Sequence, residues 1–215
     1  SNDYQYDLFP IQQVGELKKI LDQYPNLRGL NVTIPHKQSV IALLDEVDES
    51  ASSIGAVNTI KIREGKTTGF NTDVIGFEQS LLSFLEGTSI HQALILGTGG
   101  AGKAVAHVLR RLNIPFSWVS RKGSEEILDY QSLRGNLKDF QLIINTTPLG
   151  TFPNVEACPD LPYHELNREH FLFDLVYNPT ITAFMQKGLD AHCRVVNGLE
   201  MLHLQADAAW EIWNS

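Results

Sequence analysis

The stretch "ALILGTGGAGKAVAHVLRRL", residues 93–112, decides the fold. Ala93–Leu96 is a short apolar run of the kind that fills a strand buried on both faces. Gly97, Gly99 and Gly102 then satisfy G-x-G-x-x-G, and apolar residues recur at helical spacing from Ala104 onward. Strand, glycine turn and helix in that order are the context a dinucleotide fingerprint requires. Glycines let the main chain turn tightly and approach a pyrophosphate, whose charge is favoured at a helix N-terminus. Glycines also serve plain strand-to-helix turns, so the flanking elements carry the inference.

The following strand candidate, "PFSWVSR" (115–121), points to the kind of nucleotide. NAD-binding units place an acidic residue about 20 positions after the fingerprint, to bond the ribose 2′-hydroxyl. Here Ser120, Arg121 and Lys122 stand at that point, and no acid follows before Glu125. A hydroxyl and two cations suit a 2′-phosphate, so NADP(H) is the expected cofactor. The bland alternative is that Arg121 and Lys122 only solubilise a loop.

Outward from this unit, strand and helix patterns alternate. "YQYDLF" (4–9) reads as a strand, "QVGELKKILDQY" (13–24) as an amphipathic helix and "LRGLNVT" (27–33) as a strand. Helical periodicity runs through 37–47 and 49–57, and 58–71 resembles two short strands around a Glu-Gly-Lys turn. A helix over 74–86 follows, and "FQLIINTTP" (140–148), "HFLFDLVY" (170–177) and "RVVN" (194–197) are further strands. The terminal "GLEMLHLQADAAWEIW" (198–213) has one apolar helical face. Alternation of this kind favours an α/β fold of two units with a largely parallel sheet. The boundary is expected near residues 86–91.

The chain has 215 residues, 43% hydrophobic and 20% charged, which is ordinary for a protein with a packed core. A formal charge of −8 argues against nucleic acid or an anionic membrane as the main partner. Cys158 and Cys193 have no metal-type spacing, and no metal is expected. No apolar stretch approaches the roughly 18 residues of a membrane span, so a cytoplasmic location is expected. Ser1-Asn2-Asp3 leads almost directly into the first strand candidate without a methionine, as expected of a chain starting partway through a natural protein.

Lys37, Asn58 and Asp73 sit at the edges of three different elements. Pro35 suits the first position of a helix, which would put Lys37 in its first turn, where acids are preferred. The ammonium form is disfavoured there, which suits proton transfer. Read singly, each residue has a plain alternative: Asp73 is an excellent helix N-cap, and Thr33 could cap the helix containing Lys37.

Taken together, "NVTIPHK" (31–37), "GAVNTI" (55–60), "GFNTD" (69–73), "GTGGAGKA" (97–104), "INTTPLG" (144–150), "DLVYNP" (174–179) and "GLEMLHLQA" (198–206) resemble the shikimate dehydrogenase family in content and order. The resemblance covers essentially the whole chain. It implies an N-terminal α/β substrate domain over 1–86, a Rossmann-like NADP-binding domain over 87–197 and a terminal helix over 198–215 packing back on the first. It implies NADPH-dependent reduction of 3-dehydroshikimate to shikimate in aromatic amino-acid biosynthesis, by a monomer or homodimer. Lys37 and Asp73 match the catalytic pair beside the carbonyl, and Thr33, Asn58, Tyr177 and Gln205 match substrate ligands. Gly97, Thr98, Gly99, Gly100 and Ala101 match the pyrophosphate loop, Ser120, Arg121 and Lys122 the 2′-phosphate site, and Leu175, Gly198 and Met201 the surroundings of the nicotinamide.

Three departures from the family pattern stand out. The family's first strand, with its Ser-x-Ser pair for the substrate carboxylate, would lie upstream of residue 1. Val74 and Ser120 replace a common glycine and the usual asparagine. A quinate/shikimate dehydrogenase paralogue with broader substrate or NAD use, and a non-catalytic nucleotide-binding homologue, stay open as alternatives.

Overall fold

A computed structural model of the chain describes residues 4–215. Packing divides it into two units: residues up to Asn71 together with Ile212–Ser215, and Thr72–Glu211.

The first unit holds a four-stranded mixed sheet of β1 (Gly29–Asn31), β2 (Glu46–Val47), β3 (Thr59–Arg63) and β4 (Lys66–Phe70), in the order β1-β3-β4-β2. The β3–β4 hairpin turns at Glu64 and Gly65, both at positive φ (52° and 77°), as a two-residue hairpin loop demands. The helices α1 (Leu17–Gln23) and α2 (Glu49–Ile54) accompany the sheet. Asp48 caps α2 by accepting from Ser50 N, and Gly55 ends it in the left-handed region. Leu17, Val40, Ala51, Val57 and Ile60 form the core. The last residues of the chain belong here too. Trp213 Nε1 donates to Ile60 O at 3.0 Å, and Gly29 lies so close to the indole that no side chain fits there.

Two expectations fail in this unit. Residues 4–9 form no strand. They run along a cavity of about 460 Å³ whose other wall includes Leu30, Val32 and Ile34, and β1 is an edge strand. A strand is stable only when a neighbour completes its ladder, and among the described residues no strand pairs with this segment, although Tyr6 Oη donates to Asn31 Oδ1 at 3.0 Å. Nor is there an α-helix over 37–47. Residues 34–38 turn, Ser39–Leu43 make one short 3₁₀ helix, and Leu44 is already extended. Pro35 therefore opens no helix, and Lys37 precedes the 3₁₀ segment, so the macrodipole argument made for it has no basis. Thr33 likewise caps no α-helix.

The second unit is a six-stranded, fully parallel sheet in the order β10-β9-β8-β5-β6-β7. Its strands are β5 (Ala93–Leu96), β6 (Phe116–Ser120), β7 (Ile127–Asp129), β8 (Leu142–Asn145), β9 (Phe171–Asp174) and β10 (Arg194–Val196). The central β5, β8 and β9 are buried throughout, which is why they read as continuous apolar runs. Both faces are covered. Leu94, Leu96, Ile143 and Leu172 pack with Leu133, Leu137 and Phe184, the last from α5 (Ala183–Asp190). On the other face Phe77 and Phe84 of α3 (Thr72–Leu85) meet Phe171 and Phe173 edge-on, with ring centroids 5.1–6.0 Å apart.

The remaining helices are α4 (Gly100–Arg111) and α6 (Leu199–Asn214). α6 crosses α3 closely at Gly76, where a Cβ would stand 2.5 Å from Met201 O. Strand order reverses between β5 and β8, the switch point beside which ligands bind in sheets of this kind. Neither β7 nor α5 was expected from the sequence. The fold is thus α/β, a mixed sheet followed by a parallel one. Among the described residues no helix is long and apolar enough to cross a membrane.

Candidate active site

In the first unit, main-chain hydrogen bonds bring Thr33, Lys37 and Asn58 into one neighbourhood. Val32 N donates to Asn58 O at 2.7 Å, and Val57 N donates to Lys37 O at 2.8 Å. The loop after β1 is therefore tied on both sides of its turn to the segment leading into β3. Asn58 is buried, its Oδ1 accepting from Thr59 Oγ1 at 3.1 Å, whereas Thr33 is exposed and Lys37 half-buried. A fixed carboxamide beside a hydroxyl and a half-buried ammonium suits recognition of a polar, hydroxylated molecule.

In the second unit, Asp73 is buried in the first turn of α3. The helix starts at Thr72, so Asp73 lies inside it and is not its N-cap. Thr72 Oγ1 lies 3.4 Å from Gln205 Oε1, which places the Gln205 side chain beside the residue before Asp73. The tight crossing at Gly76 makes this possible, because its Cβ would also press on Gln205.

The glycine turn sits at the C-terminal end of β5 with Gly97 at φ 103°. A Cβ on Gly97 would meet Thr146 Oγ1 and Thr147 Cγ2 at 3.0 Å, and one on Gly102 would meet Gly97 O at 2.5 Å. Gly99 has nothing within 4 Å of the same point, so the mouth of α4 is open. That space, lined by main chain at the N-terminus of a 12-residue helix, fits a pyrophosphate.

Thr146 and Thr147 escaped the sequence reading. Thr146 Oγ1 donates to Leu96 O at 2.7 Å, so β8 delivers two hydroxyl side chains against the glycine turn. Their sequence signals are their place immediately after a buried strand and within the block "INTTPLG".

Ser120 closes β6, with Arg121 and Lys122 exposed just beyond it. Burial raises the Tyr130 hydroxyl above its usual range, against the opposing pull of the Arg121 charge. At the end of β9, Gly198 N donates to Val176 O at 3.2 Å, and Gly198 lies against the Leu175 carbonyl with no room for a side chain. Leu175 and Gly198 are thereby held together, Met201 is buried on the following helix, and Tyr177 projects with its side chain half exposed. Among the described residues no group of His, Cys, Asp and Glu could hold a metal.

Comparison with known proteins agrees with this architecture. Residues 1–60 match the family described as Shikimate dehydrogenase substrate binding domain. The NADP(+) shikimate dehydrogenase of Methanococcus maripaludis strain C6 is 36% identical over 98% of this chain and 81% of its own length. That of Staphylococcus epidermidis RP62A is 33% identical, covering 100% and 82%.

Among solved structures, the Thermus thermophilus shikimate 5-dehydrogenase in complex with NADP(H) and shikimate superposes with a TM-score of 0.79 at 32% identity, covering 95% of this chain and 79% of that one. The Corynebacterium glutamicum quinate dehydrogenase in complex with NAD gives 0.82 at 30%, covering 92% and 77%. Identity at this level over nearly the whole chain, on the same pair of sheets, makes the chain a member of the shikimate dehydrogenase family.

Proposed function

We propose that this chain is an oxidoreductase that interconverts 3-dehydroshikimate and shikimate with NADP(H), a step of aromatic amino-acid biosynthesis. The observation that carries this is the open glycine turn at the sheet's reversal point, pressed against Thr146 and Thr147. It stands in a chain whose relatives are named NADP(+) shikimate dehydrogenases.

Gly97, Thr98, Gly99, Gly100 and Ala101 would hold the pyrophosphate by main-chain N–H groups, aided by Thr146 and Thr147. Ser120, Arg121 and Lys122 would take the 2′-phosphate, and Leu175, Gly198 and Met201 would pack the nicotinamide. When bound, NADPH supplies the hydride for the ketone carbon. Lys37 and Asp73 move the proton at the ketone oxygen, and the Lys37 cation stabilises the negative charge developing there. Thr33, Asn58, Tyr177 and Gln205 would orient the substrate through its carboxylate and hydroxyls. Residues 1–86 would then serve the substrate and 87–197 the cofactor, with 198–215 as the closing helix.

Steady-state oxidation of shikimate and quinate, each with NADP+ and NAD+, tests this assignment. Shikimate with NADP+ should give the highest kcat/KM. The likeness to an NAD-bound quinate dehydrogenase supports a second reading, and a higher kcat/KM for quinate with NAD+ would establish it instead. Turnover no better than that of Lys37→Ala under every condition would point to a non-catalytic homologue.

A further inference from the structure

Asn145 and Asp174 occupy paired positions at the C-terminal ends of β8 and β9, and neither side chain has any solvent exposure. Asn145 Nδ2 donates to Asp174 Oδ1 at 2.9 Å. The same carboxylate oxygen accepts from Val176 N at 3.1 Å, and Oδ2 accepts from Thr182 Oγ1 at 2.6 Å. On the other side, Asn145 Oδ1 accepts from Thr147 N at 3.1 Å and from Thr147 Oγ1 at 2.6 Å. The Asn145 main chain joins in, since Leu175 N donates to its carbonyl at 3.0 Å. Thr182 in turn caps α5 by accepting from Met185 N at 3.2 Å.

Two side chains therefore bind both loops that leave the sheet here. One loop carries Thr147 beside the glycine turn, and the other carries Leu175 and Tyr177. A further main-chain bond, Phe152 N to Asn178 O at 3.2 Å, joins the same two loops farther out.

A buried carboxylate is costly unless its lone pairs are filled, and here three donors fill them. For stability alone, an apolar pair of similar volume would serve as well or better. What an apolar pair could not do is direct the amides of Thr147 and Val176. Hydrogen bonds to a buried carboxylate are directional and short, so they fix the loops' dihedrals where packing would only restrain them.

We propose that Asn145 and Asp174 form a positioning clamp that presents Leu175 and Tyr177 to the nicotinamide and substrate, in register with Thr147 at the phosphate turn. The clamp touches neither ligand. It rests on the assignment of Leu175 and Tyr177 made above.

Asp174→Ala, Asp174→Asn and Thr182→Val, measured alongside the unmodified chain, test it. Asp174→Ala leaves Val176 N and Asn145 Nδ2 without their acceptor, and kcat/KM for shikimate should fall about ten- to a hundredfold. The KM for NADP+ should stay within about twofold, because the glycine turn keeps its own contacts. Asp174→Asn keeps an oxygen toward those two donors and should retain activity within about threefold. Thr182→Val, which preserves volume, should fall between the two.

Equal losses in Asp174→Asn and Asp174→Ala would overturn the clamp in favour of a role for the charge itself. An Asp174→Ala enzyme within about twofold of the unmodified chain would also overturn it. If Asp174→Ala does not fold, Thr182→Val decides, and unchanged kinetics there would overturn the proposal. If the unmodified chain turns over no shikimate, the substrate assignment fails by itself. Amide exchange then judges the clamp: faster exchange at Thr147 and Val176 in Asp174→Ala but not in Asp174→Asn supports it, and unchanged exchange overturns it.

Discussion

A side-chain carbon on Gly102 would stand 2.5 Å from the carbonyl oxygen of Gly97, and neither backbone can yield without moving β5 or α4. This close approach lets the helix begin directly behind the turn, with its first N–H groups directed at the space over Gly99. Gly102→Ala should raise the KM for NADP+ at least about tenfold and cost roughly 1–3 kcal/mol of stability, as overpacking does. Cofactor titration and urea unfolding of the same variant check both. An unchanged KM would mean that the turn does not set the phosphate geometry.

Lys37 stands in a turn, outside any helix, with its carbonyl held by Val57 N. Truncating the side chain should leave that main-chain bond and the fold intact. Lys37→Ala should lower kcat about 10²–10⁴-fold, with a much smaller change in the KM for shikimate. If KM rises by the full amount while kcat holds, Lys37 binds substrate and transfers no proton.

Arg121 is exposed beyond β6, where its charge is available to a 2′-phosphate. Arg121→Ala should raise the KM for NADP+ by about tenfold while leaving the KM values for shikimate and NAD+ nearly unchanged. A parallel loss with both nucleotides would assign Arg121 to the fold, not to cofactor choice.

Asp174 gives stability an unusual pH slope. Burial raises its carboxyl from 3.8 to about 6, against the opposing pull of Thr182, Val176 and Asn145. Between those two values the folded state holds a proton that the unfolded chain releases. The contribution is therefore fully present below about pH 4 and lost as pH rises through about 6, by roughly 3 kcal/mol in all. Asp174→Asn removes the titration. The stability of the unmodified chain relative to that variant should thus fall as pH rises from about 4 to 7.5, in urea unfolding of both proteins across that range. A difference independent of pH would show that Asp174 titrates normally in the fold.

The β5–turn–α4 unit was legible because its signals are local. Gly97 supplies a positive φ, Gly102 a close approach, and four apolar residues a strand buried on both faces. The same holds for the β3–β4 hairpin, whose turn needs only the conformations of Glu64 and Gly65. The chemistry expected of Lys37, Asn58 and Asp73 came from the company they keep in the sequence. The structure adds the main-chain bonds that gather Thr33, Lys37 and Asn58.

Elements that depend on distant partners were not legible. Residues 4–9 have a strand's composition, but a strand exists only by its ladder, and among the described residues no strand pairs with them. Residues 37–47 have a helix's spacing, yet Leu44 turns extended and β2 pairs with β4. Beyond the apolar pair Ile127–Leu128, flanked by Glu126 and Asp129, nothing local marks β7, which exists because β6 offers it an edge. Thr146 and Thr147 became visible only when β8 was set beside β5, and the Asn145–Asp174 pair only when β8 was set beside β9.

By itself, then, the amino-acid sequence determined the α/β alternation and the glycine turn, because these follow from short-range sterics and periodicity. Only the tertiary structure decided which loops meet at the reversal of the sheet and which buried polar groups fasten them. The bonds Asn145–Asp174 and Thr146–Leu96 join residues 29 and 50 positions apart, and they are specified by strand order, which no local pattern encodes.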